Sequence, residues 1–130
     1  MPAEYPDELK YTREHEWARI DGTLATIGIT KHAVDQLGDI TQVDLPKEGD
    51  RIKKDDVFGT VESVKAVSDL FAPVSGVVVK VNDPLAESPE YVNDDPYDEG
   101  WMIQVEMSDA NEILRLMSSV EYAEHLKQGD

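Results

Sequence analysis

The chain has 130 residues, 40% of them hydrophobic and 31% charged, enough for one domain built round a single core. Twelve basic against 28 acidic residues leave a formal charge of −16, a field that repels nucleic-acid phosphates and anionic membranes, so neither is expected as a partner. The absence of cysteine excludes disulfides, a thiolate nucleophile and a cysteine metal site. His15, His32 and His125 are far apart in the sequence and form no ligand motif, so no metal is expected. No apolar run approaches a membrane span, and the acidic, proline-containing opening Met1-Pro-Ala-Glu-Tyr-Pro-Asp-Glu8 is unlike a signal or transit peptide. The expectation is a soluble, cytoplasmic monomer, with residues 1–130 forming one domain.

Residues 1–10 read as a loose lead-in. Trp17–Ile29 reads as a hairpin turning at Asp21-Gly22, with Ala25, Ile27 and Ile29 on one face of its second arm. Thr30 can cap a helix over Lys31–Leu37 that Gly38 ends. Thr41, Val43 and Leu45 alternate as a strand before Pro46 and Gly49 turn the chain. A weak repeat at an offset of 27 residues aligns Pro46-x-x-Gly49 with Pro73-x-x-Gly76, Ile52 with Val79 and Phe58 with Leu85, and suggests two similar four-stranded halves.

Between those halves lies Gly59–Pro73, two β-rich arms that place Lys65 at the tip of a hairpin. Val57, Phe58 and Val61 lead in, Val67, Leu70 and Phe71 lead out, and Glu62, Ser63, Ser68 and Asp69 are polar positions nearer the tip. An exposed amine at a rigid turn is a poor catalyst and a good attachment point, although an ordinary solvated hairpin lysine has the same pattern. Schiff-base chemistry would need desolvation or a cationic neighbour to lower the amine's pKa, and the acidic surroundings work the other way.

Val77–Val81 reads as a strand. The Pro-, Asp- and Glu-rich stretch 82–100 reads as a long loop with a short helix round Leu85–Glu87. Trp101, Ile103, Val105 and Met107 alternate with Met102, Gln104 and Glu106 as a last strand. Residues 109–127 read as a helical segment in which Asp109 caps a helix bearing Ile113, Leu114 and Met117, and Ser119 caps a second through Tyr122, Ala123 and Leu126. The fold class is therefore mainly β with short peripheral helices.

Tyr11-Thr-Arg-Glu-His-Glu-Trp17, Thr26-Ile-Gly-Ile-Thr30, Leu37-Gly-Asp-Ile40, Glu62-Ser-Val-Lys-Ala-Val-Ser-Asp69, Ala72-Pro-Val-Ser-Gly76, Glu90-Tyr-Val-Asn-Asp-Asp-Pro-Tyr97 and Gly100-Trp-Met-Ile103 run in order along most of the chain. Together they resemble the H-protein of the glycine cleavage system. The resemblance implies a lipoyl-domain-like flattened β-barrel or sandwich and a lipoyl group (lipoate) in amide linkage on Lys65, within the supporting turn Glu62, Ser63, Val64, Ala66 and Ser68. It also implies a non-enzymatic carrier with three enzyme partners. These are a pyridoxal-phosphate glycine decarboxylase, a tetrahydrofolate-dependent aminomethyltransferase and the flavoenzyme dihydrolipoamide dehydrogenase, besides the enzymes that attach lipoate. The carrier takes the aminomethyl carbon of glycine from the first to the second and is reoxidised by the third. Glu16 and Asp69 match positions near the folded-back loaded arm, and Glu14 and His32 are secondary candidates for the same cleft. Gln36 stands where some relatives have histidine.

Other carriers fit less well. A biotin carrier flanks its lysine with methionines, where this chain has Val64 and Ala66, and an acyl carrier is helical and uses a serine in Asp-Ser-Leu. A lipoyl relay serving other enzymes is the nearer alternative.

Overall fold

The computed structural model describes residues 5–128. Alternating apolar residues drive two antiparallel sheets. The larger joins β1 (Lys10–Tyr11), β2 (Glu16–Asp21), β3 (Leu24–Ile29), β9 (Ile103–Met107), β8 (Gly76–Val81) and β5 (Arg51–Ile52), hydrogen-bonded in that order. The smaller joins β4 (Ile40–Asp44), β6 (Val57–Ser63) and β7 (Val67–Phe71). Ala25, Ile27, Val78, Ile103 and Val105 from the first sheet and Val43, Val61 and Leu70 from the second are buried in one cluster, which makes the fold an open, flattened sandwich.

The expected alternation holds on β3, where Ala25, Ile27 and Ile29 are buried and Leu24 and Thr26 face outward in part. The hairpin turn falls one residue later than expected. Asp21 pairs with Leu24, so Gly22 and Thr23 form the loop, and only Gly22 of the two takes a positive φ, +62°. On β4 a bulge between Ile40 and Gln42 breaks the alternation, so Ile40 and Val43 are buried while Thr41 is exposed. The last strand begins at Ile103, and Met102, expected on the outer face, is fully buried.

The expected four-and-four arrangement does not form, since the sheets have six and three strands. The reason lies at the repeat's end. Phe58 sits in β6, but its match Leu85 sits in a 3₁₀ turn over Asp83–Ala86, where Pro84 lacks the N–H a ladder needs. That turn leads into α2 (Glu90–Asp94), beyond the helix expected round Leu85–Glu87.

α1 (Lys31–Leu37) has the expected ends: Thr30 accepts the Ala33 N–H, and Gly38 closes it at φ +77°. Asp109 caps a 3₁₀ turn, Ala110–Arg115, whose Leu114 is exposed. Ser118, not Ser119, caps α3 (Ser119–Lys127), because only Ser118 has glutamate three residues on, and Ser118 and Glu121 form a reciprocal capping box. The expected loose lead-in is packed where it is described. Leu9 and Tyr11 are fully buried with Trp17 and Tyr122, Tyr11 stacks on Tyr122 at 4.8 Å, and β1 bridges Met117.

Candidate functional site

β6 and β7 pair down to Glu62 and Val67, leaving Ser63–Ala66 to turn the chain. Ser63 organises that turn. Its N–H donates to the Ala66 carbonyl at 2.8 Å, and its hydroxyl accepts the N–H groups of Lys65 and Ala66, each at 3.1 Å. Val64 N–H donates to the Asp39 carbonyl at 3.1 Å, which fastens the tip to the segment between α1 and β4. Lys65 is exposed at this tip between Val64 and Val67, themselves 67% and 64% exposed. Its aliphatic stem runs over Gly38, where an added Cβ would lie 3.4 Å from Lys65 Cε. Glu62 is partly buried, and its carbonyl accepts the Thr41 hydroxyl. Ser68 faces Val61 across the ladder, and Ala66 is exposed.

Glu16 is the one carboxylate side chain fully buried among the described residues. The turn before it is built for this position. His15 adopts φ +75°, its N–H bonds the Thr12 carbonyl, and the Thr12 hydroxyl accepts the Glu16 N–H at 3.0 Å while donating to Glu16 Oε1 at 2.6 Å. Phe71 N–H donates to Oε2 at 3.2 Å. Burial pushes the Glu16 carboxyl up to about 7, against the pull of the Thr12 and Phe71 donors toward the charged form.

Glu16 lines a cavity of about 460 Å³ with Thr12, Glu14, Lys54, Phe71 and Arg115. Phe71 lies four residues beyond Val67, about 14 Å along an extended strand. Asp69 stands between them, exposed on β7, the edge strand of its sheet and on the same face as Phe71, but it does not line the cavity. Of the four expected cleft residues the cavity thus gathers Glu16 and Glu14. His32 lies elsewhere, on α1, its ring 4.6 Å from that of His15 and its Nε2 buried without a hydrogen bond.

The histidines, far apart in sequence, converge: the His125 ring is 6.2 Å from that of His15, and Tyr122 OH sits 2.7 Å from His15 Nδ1 and 2.8 Å from Thr30 Oγ1. Among the described residues no group of three His, Cys, Asp or Glu side chains is arranged to hold a metal ion. Thr12, within Tyr11–Trp17, and Asn93, within Glu90–Tyr97, also hold the site together, and nothing local in the sequence marks either role. A larger groove, about 640 Å³, is lined by Arg51, Lys53, Val57 and Glu112; Val57 begins β6, about 20 Å along that strand from the lysine tip. Among the described residues no helix is long and apolar enough to cross a membrane.

Comparison with known proteins agrees with this architecture. The family model for the glycine cleavage H-protein matches residues 9–129. The glycine cleavage system H proteins of Anaeromyxobacter sp. (strain K) and of Anaeromyxobacter dehalogenans (strain 2CP-1 / ATCC BAA-258) are each 56% identical over 119 residues, covering 92% of this chain and 93% of theirs. The crystal structure of a glycine cleavage system H protein from Mycobacterium marinum superposes with a TM-score of 0.87 at 38% identity, covering 94% of this chain and 98% of that one. The chain belongs to the glycine cleavage H-protein family.

Proposed function

We propose that the chain is the lipoyl carrier of the glycine cleavage system, modified on Lys65. In this reading it moves the aminomethyl group of glycine from the pyridoxal-phosphate decarboxylase to the tetrahydrofolate-dependent aminomethyltransferase, and dihydrolipoamide dehydrogenase restores it. It is a carrier and not an enzyme: partners and cofactor hold the chemistry, and the chain supplies position. When attached, the lipoyl group supplies a strained disulfide that opens to take up the carried carbon and is left reduced.

The observation that carries the reading is the setting of Lys65, an exposed amine on a tip fixed by the Ser63 hydrogen bonds and by the Asp39 carbonyl. The residues suit such an arm. Gly38 leaves room for the lysine stem, and the strand from Val67 to Phe71 leads to a cavity of about 460 Å³ that would shelter the arm's end. There Glu16, with Glu14 at the cavity and Asp69 along the way, offers carboxylates to a protonated amine. Glu16 does so from a buried site where it is poised between its two protonation states near neutral pH. Withdrawal into this cavity would keep bulk water from the cargo between enzymes, while tethering holds it at high effective concentration near each docking surface.

Intact mass spectrometry of the protein and of Lys65→Arg, after incubation with lipoate, ATP and a lipoate-attachment enzyme, tests the assignment. A gain of one lipoyl group that requires Lys65 supports it, and a biotin-sized gain or lipoyl on another lysine overturns it. Glycine–bicarbonate exchange with the decarboxylase then separates the glycine role from a lipoyl relay.

A further inference from the structure

The lysine tip is not self-supporting. A main-chain bond outside the hairpin turn, Val64 N–H to the Asp39 carbonyl, leads to the segment Gly38-Asp39-Ile40, and the Lys65 stem lies over Gly38 of the same segment. Gly38 and Asp39, between a helix end and the strand start at Ile40, have few ladder partners of their own. Gly38 N–H closes α1 on Val34, and Ile40 faces Ser63, but the register slips at once because of the bulge before Gln42.

What fixes this segment comes from α2. Asn93 Nδ2 donates to the Gly38 carbonyl at 2.9 Å, and Asn93 Oδ1 accepts the Ile40 N–H at 2.9 Å. One planar amide therefore satisfies an acceptor and a donor two residues apart, as a neighbouring strand would. Both bonds need the amide in this orientation, since turning it over would face donor to donor and acceptor to acceptor. No other side-chain type offers this pairing at this length: aspartate lacks the donor, and glutamine is one methylene too long.

We propose that Asn93 is a positioning residue for the lysine tip. Its amide clamps Gly38 and Ile40, and the clamped segment holds Val64 and gives the Lys65 stem its resting surface. Asn93 touches neither Lys65 nor anything attached to it, and acts only through residues 38–40. It would do so for any enzyme that must seat the tip, the attachment enzyme first. The functional half of the inference rests on modification of Lys65, while the structural half does not.

The experiment measures two things on the full-length apo protein. Amide hydrogen exchange is followed at Val64 and Ile40, and lipoylation of Lys65 is followed by intact mass with lipoate, ATP and a lipoate-attachment enzyme, giving kcat and KM separately. Asn93→Ala and Asn93→Asp are compared with wild type and with Val78→Ala, which opens a cavity in the core away from the tip. Loss of the clamp should speed Val64 and Ile40 exchange about tenfold or more, with exchange on β3 and β9 altered far less. Lipoylation should weaken mainly through a higher KM, by about tenfold for Asn93→Ala and at least as much for Asn93→Asp, which keeps the bond from Ile40 but sets a carboxylate oxygen against the Gly38 carbonyl. Val78→Ala should lower Tm and leave KM in place. Wild-type exchange at Val64 together with wild-type KM in both Asn93 variants overturns the proposal, as does a KM rise of equal size in Val78→Ala. Should Asn93→Ala fail to fold, Asn93→Asp carries both measurements. If wild type itself gains no lipoyl group on Lys65, the proposed function fails, and Val64 exchange alone still decides the clamp.

Discussion

The main-chain N–H of Phe71 donates to the carboxylate of Glu16 at 3.2 Å, so an edge strand of one sheet is capped by a buried acid of the other. This one bond joins the base of the lysine hairpin to the turn Thr12–Glu16. It also gives the buried carboxylate a main-chain donor that, of all substitutions at position 71, only proline would remove.

The first prediction concerns pH. The folded-state pKa of Glu16 is raised from 4.5 to about 7 by burial, so between those values the folded protein binds a proton that the unfolded chain does not. Stability should therefore fall as pH rises from about 4.5 to 7, by about 3 kcal/mol from this group, and level off above. Denaturant melts at pH 4.5, 6 and 8 should show this slope in wild type and lose it in Glu16→Gln. A slope unchanged in the variant would place the titration elsewhere.

Thr12 sets the same equilibrium from the other side. Its hydroxyl donates to Glu16 Oε1 at 2.6 Å, and Thr12→Val removes that bond with little change in shape. The Glu16 titration, read by carboxyl carbon NMR, should move further upward by about one pH unit, the scale of a hydrogen bond to a charged group. A downward move would contradict the geometry.

If Glu16 and Asp69 hold the carried amine, the double variant Glu16→Gln, Asp69→Asn should release it faster. Loss of two charge-assisted contacts predicts hydrolysis of the glycine-loaded carrier accelerated on the order of tenfold or more. Equal rates in variant and wild type would reduce both to structural acids.

Tyr122→Phe keeps the ring stacked on Tyr11 but removes the hydroxyl shared by His15 and Thr30. Leaving those groups without this partner in a buried setting should cost about 1–3 kcal/mol, measurable as a lower urea midpoint with unchanged m-value. A neutral result would mean that water or a neighbouring group replaces the hydroxyl.

Gly28→Ala tests how closely β2 and β3 are packed. An added Cβ would lie 2.6 to 2.8 Å from ring atoms of Trp17, whose indole N–H bonds the Pro96 carbonyl at 3.0 Å. Overpacking here should cost about 1–3 kcal/mol and, by tilting the indole, alter tryptophan fluorescence.

Much of this was legible because its causes are local. Thr30 and Gly38 mark α1 through capping and a left-handed φ, and alternation marks β3. The lysine hairpin was legible because its arms are apolar and its tip is not. The cap of α3 is Ser118 and not Ser119 by an equally local rule, the glutamate three residues past Ser118. The rest depended on contacts that no window of sequence contains. The histidine cluster joins positions 15, 32 and 125 through tertiary packing, and the β4 bulge answers to its partner β6. Asn93 looked like one polar residue in an acidic loop because its partners Gly38 and Ile40 lie more than fifty positions earlier. Of the expected cleft, Glu16 and Glu14 share a cavity, whereas His32 turned to the histidine cluster because α1 presents it to His15.

The aromatic stack of Tyr11 on Tyr122 has a consequence for how the protein is made. Tyr11 emerges from the ribosome about a hundred residues before Tyr122, and until α3 is synthesised the ring face that stacks on Tyr122 lacks that cover. The sandwich core can close on strands already made, but the turn that presents Glu16 stays open on one side until the final helix arrives. The site that would shelter the arm is thus completed last.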